Sequence, residues 1–327
     1  MAILCTVTRG LYIESIHTAY AVVVDAAGRI VFSSGDPKYL TCIRSSLKPF
    51  QAAASVVVGA TAAAGFNQAE LALMCSSHSG EDIHVRTAAA MLDKLGYTAD
   101  DYECGRQEPY HKESLYNLIR AGQEAGPLHN NCSGKHAGML CLARKLNVDP
   151  QGYTFPDHPV QKAVFEQVER FSGLRELPIG VDGCSLPTPY LPLYSIARMF
   201  QKLAGGDFPE LNILYDAMTA NPYLIAGEKR FDTDFMEVLQ GRAVTKGGGE
   251  AVRGLAIRRP DGEVWGMAVK VLDGAQRANP PATMAVLKHL NLLTEAELLQ
   301  LADYSSTPIH NLRQIHIGNI VGYVDTE

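Results

Sequence analysis

The sequence predicts an α+β fold in which an antiparallel sheet is built from both chain ends around a mainly helical middle. Three observations lead there. β-branched runs crowd the first 32 residues, Ala-, Leu- and Val-rich segments with helical spacing fill residues 48–171, and strand patterns return after residue 250. A βαβ chain would instead alternate the two patterns throughout.

Taken in order, Tyr20-Ala21-Val22-Val23-Val24 and Arg29-Ile30-Val31-Phe32 flank Asp25-Ala26-Ala27-Gly28, which reads as a hairpin with a glycine-containing turn. Residues 48–59 form a buried helix, with Pro49 in the first turn, where its missing N–H is not needed. Helices follow at 67–75, where Asn67 and Glu70 have capping-box spacing, and at 81–95 and 114–125. Two more are expected at 138–146 and 159–171, the latter with a stripe of Val160, Ala163, Val164 and Val168. Strands at 251–258 and 264–271 are joined by the turn Arg259-Pro260-Asp261-Gly262, and a helix over about 282–293 comes last. No repeat, low-complexity linker or composition break marks a boundary, so residues 1–327 are expected to act as one catalytic unit.

Composition narrows the function. With 46% hydrophobic residues the chain can bury a substantial core, and a net charge of −6 without a run of five or six Lys or Arg argues against nucleic acid as partner. A small-molecule substrate fits better. Residues 1–17 carry Arg9, Glu14 and His17 where a signal peptide needs an apolar core, and no stretch approaches the length of a membrane span, which leaves a cytoplasmic protein without membrane contact as the expectation. Seven cysteines, an odd number, make a disulfide framework improbable and point to thiol or metal chemistry, or to small buried side chains.

Three runs carry chemistry. In Arg44-Ser45-Ser46-Leu47-Lys48, Ser45 and Lys48 are three apart at a helix entry, where a lysine whose pKa is lowered by burial and by Arg44 could take the serine proton. The bland alternative is a helix cap beside a solvated lysine. Ser-x-x-Lys with a later Lys-Thr-Gly is the signature set of serine β-lactamases and penicillin-binding proteins. Its candidate companions are Cys75-Ser76-Ser77-His78-Ser79-Gly80-Glu81, which gathers hydroxyls and an imidazole, and Lys246-Gly247-Gly248-Gly249, whose backbone N–H groups could approach a carbonyl oxygen. The third run, Asn130 to Met139 with Cys132, Lys135 and His136, is followed by Asp182-Gly183-Cys184. Two thiols beside His and Asp suggest a metal, although the usual Cys-x-x-Cys spacing is missing and a reduced loop without ligand stays open.

Together these runs resemble the asparaginase II family, the bacterial class 3 L-asparaginases, whose fold is similar to that of serine β-lactamases and glutaminases. The resemblance takes in Thr8-Arg9-Gly10, Glu14 to His17, Arg44 to Gln51, Ser76 to Glu81, Cys132 to Met139 and Asp182 to Pro187. It continues through Ala226-Gly227, Arg230 to Asp234, Lys246 to Glu250, Lys270 and Asp273-Gly274, so it covers almost the whole chain. It implies hydrolysis of L-asparagine to L-aspartate and ammonia through two Ser-Lys tandems, Ser45 with Lys48 and Ser77 with Lys246. Ser45 is then the nucleophile and Lys48 its base, while Ser77 relays or positions a proton with help from Lys246. The resemblance also implies a zinc ion on Cys132, Lys135 and Cys184 that shapes the pocket without activating the nucleophile, and a homodimer. Arg44, His136, Asp182 and Gly248 are the matching candidates for substrate contacts.

The chain departs from the family at Gly249-Glu250-Ala251, where Ala-Glu-Gly is expected, and Ser46 stands beside Ser45 as an alternative nucleophile. A glutaminase or other serine amidohydrolase, an amino-acid sensor that has lost turnover, and a metal-bound water as the attacking group are the competing readings.

Overall fold

The computed structural model describes residues 2–325, all the strand pairings of its large sheet being antiparallel, with helices filling the middle of the chain. Two compact units divide it. One comprises Met1–Ser46, Leu191–Gly205 and Asp234–Glu327, the other Leu47–Tyr190 and Gly206–Thr233.

The first unit holds an eight-stranded sheet. Its order across the sheet is Ser306–His310, His316–Asp325, Ala2–Arg9, Tyr12–Val24, Val264–Val271, Val252–Arg258 and Ala243–Gly248, with Ile30–Ser34 also paired to Tyr12–Val24. Both chain ends therefore meet in it, as Ile3 pairs with Val324 on one side and with Ala19 on the other. Ile3, Cys5 and Val7 alternate inward, the two-residue period of a strand with a buried face. Glycines let other backbone in close: a Cβ on Gly266 would lie 2.1 Å from Ala197 O in helix Leu193–Gly205, and one on Gly322 would lie 2.2 Å from Pro281 O in helix Asn279–His289.

The second unit is mainly helical. Its helix Lys48–Val57 is buried from Lys48 through Ser55, and Phe50, fully buried, packs against Phe171 of helix Pro159–Ser172 with ring centroids 5.9 Å apart. Burying such a ring contributes about 2–3 kcal/mol, enough to fix the register of the helix that carries Lys48. Helix Gln68–Met74 starts at the expected Asn67–Glu70 capping box. Helix Ser133–Leu146 begins five residues before the predicted start, because Gly134 and Gly138 serve close approach to Leu73 and Met74 and do not break it. The predicted helix 114–125 runs over Lys112–Arg120, its His111 imidazole accepting from Ser114 N. Among the described residues no helix is long and apolar enough to cross a membrane.

Candidate active site

In the helical unit Lys48 opens its helix and is fully buried. Its Nζ donates to Ser76 O and, at 3.2 Å, to Asn131 O, and it stands 2.9 Å from Ser77 Oγ. Two of these partners are carbonyls, which only accept; the hydroxyl can also donate. A neutral amine here keeps its two N–H bonds on the carbonyls and turns its lone pair to Ser77. Burial drives Lys48 towards that neutral form, lowering its pKa with help from the positive Lys135, while Cys132 and Cys184 oppose the shift.

The Ser77 turn is tied down residue by residue. Ser76 Oγ donates to Leu73 O at 2.7 Å, Ser77 N to Ile225 O at 2.9 Å and Ser79 Oγ to Ala226 O at 2.5 Å. His78 accepts from Gly80 N on Nδ1, so its Nε2–H donates to Ser133 Oγ at 2.8 Å; burial and the neighbouring His84 keep this ring neutral. Glu81 accepts from the Tyr223 hydroxyl and from Glu228 N.

Cys132 precedes helix Ser133–Leu146 and Lys135 lies one turn in, so both face the same way. Lys135 Nζ donates to Cys184 Sγ at 2.9 Å, and Cys132, whose thiol donates to Asn131 Oδ1 at 2.9 Å, lies beside that sulfur. These contacts bring the Cys184 thiol down to about 5 despite burial, and hold Cys132 protonated. Burial would lower Lys135, but Cys132, Cys184 and Asp182 outweigh it and keep the ammonium. Cys184 sits in a turn in which Asp182 N bonds to Leu186 O and Ser185 takes a φ of 72°. Two sulfurs and one amine nitrogen thus converge on one buried point, a donor set that could hold a soft or borderline metal ion once the excess protons leave. Among the described residues no group of three or more His, Cys, Asp or Glu is placed to hold one.

His136 is turned into the core. Tyr153 OH accepts from Glu103 N and donates to His136 Nδ1 at 2.6 Å, which leaves the ring proton on a buried Nε2 without a partner. Burial, then Lys135, lowers its pKa to about 3.

Arg44–Leu47 is a 3₁₀ turn, its first three residues in the sheet unit, with Arg44 at φ 50° and a half-buried Ser45. Ser46 is fully buried and its hydroxyl donates to Lys246 O at 2.8 Å. That contact spends the Ser46 hydroxyl on structure and leaves Ser45 the more accessible of the two. Lys246 is fully buried on the strand Ala243–Gly248, paired with Gly254, and its Nζ donates to Gly247 O.

Residues 5–321 match the sequence model of L-asparaginase II. The chain belongs to the L-asparaginase II family. No curated protein matches it. Within this member of the L-asparaginase II family the structure brings Lys48 together with Ser77, and Cys132 with Lys135 and Cys184. The resemblance pairs Ser77 with Lys246, whereas the bond shown for Ser77 Oγ is to Lys48. Asp182 lies near enough to Lys135 to stabilise its charge, and Gly248 closes the strand that carries Lys246. Sequence reasoning gave no role to Asn131, which lies in the Asn130–Met139 run and whose carbonyl holds Lys48, and missed Tyr223, whose hydroxyl anchors Glu81 and which belongs to no local pattern.

Proposed function

We propose that the chain is an L-asparaginase that hydrolyses L-asparagine to L-aspartate and ammonia through a lysine-activated serine and an acyl-enzyme. The family supports an asparaginase-type amidohydrolase. The observation that carries the serine mechanism is the buried Lys48 amine, held by two carbonyls with its third contact on a serine hydroxyl.

The attacking Oγ adds to the side-chain amide carbon as its proton passes to the lysine. Collapse of the tetrahedral adduct breaks the C–N bond, the nitrogen takes that proton, and ammonia leaves. Water then attacks the aspartyl ester by the reverse proton path and frees the serine. Ser45 is the nucleophile in the first reading, with Lys48 three residues on as its base and the N–H groups around Gly248 facing the developing oxyanion. A second reading, favoured by the 2.9 Å contact to Lys48, has Ser77 as the acylated residue. Lys246 assists Ser77 in the first. Arg44 takes the substrate carboxylate and Asp182 meets the α-ammonium, while His136, which the resemblance also offers for the substrate, has its ring turned into the core against Tyr153.

Cys132, Lys135 and Cys184 would hold a zinc ion, which when bound supplies a Lewis-acidic positive centre that orients polar groups of the substrate. The chain's own residues do the rest. The Ser-x-x-Lys helix entry and the Lys246 strand also support a serine β-lactamase-like fold, and a family match that spans residues 5–321 supports a single catalytic unit. We place this enzyme in the cytoplasm as a homodimer, a state that light scattering tests.

The deciding experiment measures ammonia release from asparagine and from glutamine, then maps the adduct of an electrophilic asparagine analogue by peptide mass spectrometry. Release from asparagine with an adduct on Ser45 or Ser77 is expected. Turnover of glutamine alone, or asparagine binding without ammonia, would overturn the proposal.

A further inference from the structure

We propose that Gly249 is a specificity-determining position: it seats the Arg44 guanidinium, and thereby sets how tightly the enzyme holds the carboxylate of its amino-acid substrate. This rests on the reading above, in which Arg44 takes that carboxylate.

The geometry lies within the sheet unit. A Cβ built on Gly249 would stand 2.9 Å from Arg44 Cζ, 3.0 Å from Nη2 and 3.1 Å from Nη1. All three distances are short and alike, so the flat guanidinium lies across the glycine. The preceding Gly248 leaves room for the other end of the residue as well as for Val252: its Cβ would lie 2.7 Å from Val252 Cγ1, 3.0 Å from Ile43 O and 3.2 Å from Arg44 Cβ. Two adjacent glycines therefore accept one arginine, from its Cβ to its charged head.

Arg44 is held from its own backbone as well. Its φ of 50° is rare for a side chain of this size and persists only where the surroundings over-determine it. The turn it lies against is equally constrained. Glu250 and Ala251 follow at φ 57° and 54°, two consecutive left-handed residues that are not glycine. Side chains pin this turn by its carbonyls: Gln276 Nε2 donates to Gly248 O at 3.0 Å, Lys270 Nζ to Glu250 O, and Asn279 Nδ2 to Ala251 O at 2.8 Å. Asn279 is itself fixed by Arg253 Nε at 2.6 Å. A backbone tied at three carbonyls cannot give way to an added methyl group, whereas the end of an arginine side chain can. Gly249 has an ordinary φ, so alanine is acceptable to its backbone. The cost of a methyl there falls on where the guanidinium points, not on the fold. Since a guanidinium binds a carboxylate as a planar two-pronged fork, a displacement of a few tenths of an ångström is enough to lose one prong.

The test is Gly249→Ala. Its KM for asparagine should rise about tenfold, a clearly larger factor than any fall in kcat. The Ki of 3-aminopropanamide, which keeps the amide and the amine but has no carboxylate, should not move. On an Arg44→Ala background the same substitution should have no further effect on KM, a coupling that general loosening of the fold would not produce. Should Gly249→Ala not yield folded protein, Arg44→Lys keeps the charge but withdraws the planar fork, and must show the same rise in KM with the Ki unchanged. An active wild type whose KM is indifferent to Gly249→Ala, or an equal loss for both ligands, overturns this inference alone. A wild type that releases no ammonia from asparagine overturns the proposed function and this inference with it.

Discussion

Lys48 Nζ stands 2.9 Å from Ser77 Oγ, the one hydroxyl among its oxygen partners, the other two being carbonyls that only accept, with the Cys132 thiol also against the amine. The arrangement makes Lys48 a base with a defined target and not merely a buried cation. Lys48→Met keeps the length of the side chain and its burial but removes the lone pair, so kcat for asparagine should fall by about 10²–10⁴-fold. Far-ultraviolet circular dichroism should remain that of wild type. Unchanged ammonia release by a folded Lys48→Met protein would remove the lysine from the mechanism.

Metal content separates the cysteine–lysine cluster from the serine chemistry. Protein purified with zinc should carry the metal in wild type and in Ser45→Ala, and should lose most of it in Cys184→Ser and Cys132→Ser, as read by elemental mass spectrometry. Ser45→Ala should at the same time abolish turnover. Chelation should weaken asparagine binding more than it removes residual activity. Full zinc content in both cysteine variants would take the ion away from this cluster.

How much of this was legible in the chain depends on the range of the interaction. The Val22–Val24 run, the Asn67–Glu70 cap and the Arg259–Gly262 turn are local patterns, and the structure has them. The strands Ser306–His310 and His316–Asp325 are not locally legible. Pro308 and the glycines 318 and 322 lower strand propensity, and the reason for the glycines lies elsewhere: a Cβ at 318 would meet Thr8 O at 1.9 Å. The motifs and the resemblance named Ser45, Lys48, Ser77, Cys132, Lys135 and Cys184 as candidates, but spacing could not say that the Lys48 amine reaches Ser77 or that Ser46 is spent on Lys246 O. Those are tertiary facts, settled by which backbone a buried side chain meets.

Glu81 shows a pH dependence that follows from such a contact. Burial alone would raise its pKa, but the bonds from Tyr223 OH and Glu228 N prevail, with His84 and His111 adding to them, and hold it below 4.5. A carboxylate depressed in the folded state contributes stability that is fully present above about pH 4.5 and is lost as pH falls through the lower, folded value. Tyr223→Phe should therefore lower Tm by about 2–4 °C at pH 7. The deficit should shrink as pH falls through that lower, folded value, below which Glu81 is protonated in both proteins. A deficit independent of pH, measured by calorimetry from pH 3 to 8, would show that the hydroxyl acts through packing.

Gly134 tests whether the site depends on how closely two backbones approach. It lies between Ser133, which holds His78, and Lys135, which holds Cys184, and a Cβ there would sit 2.2 Å from Leu73 O and 2.6 Å from Leu73 C. Alanine gains about 1 kcal/mol over glycine inside a helix, so propensity alone predicts a more stable Gly134→Ala. The obstacle is main chain, however, and it precedes the Ser76–Ser77 turn that accepts Lys48. The helix must retreat, at a cost of about 1–3 kcal/mol or more, and Ser133 and Lys135 retreat with it. Gly134→Ala should unfold at lower denaturant and lose both zinc and turnover. Gly126→Ala, where the added methyl meets nothing within 4 Å, should stay within about 0.5 kcal/mol of wild type. A Gly134→Ala protein with wild-type zinc content and kcat would mean that the helix can move without disturbing Lys48 or Cys184, and that the site is less tightly coupled to this packing than the contacts indicate.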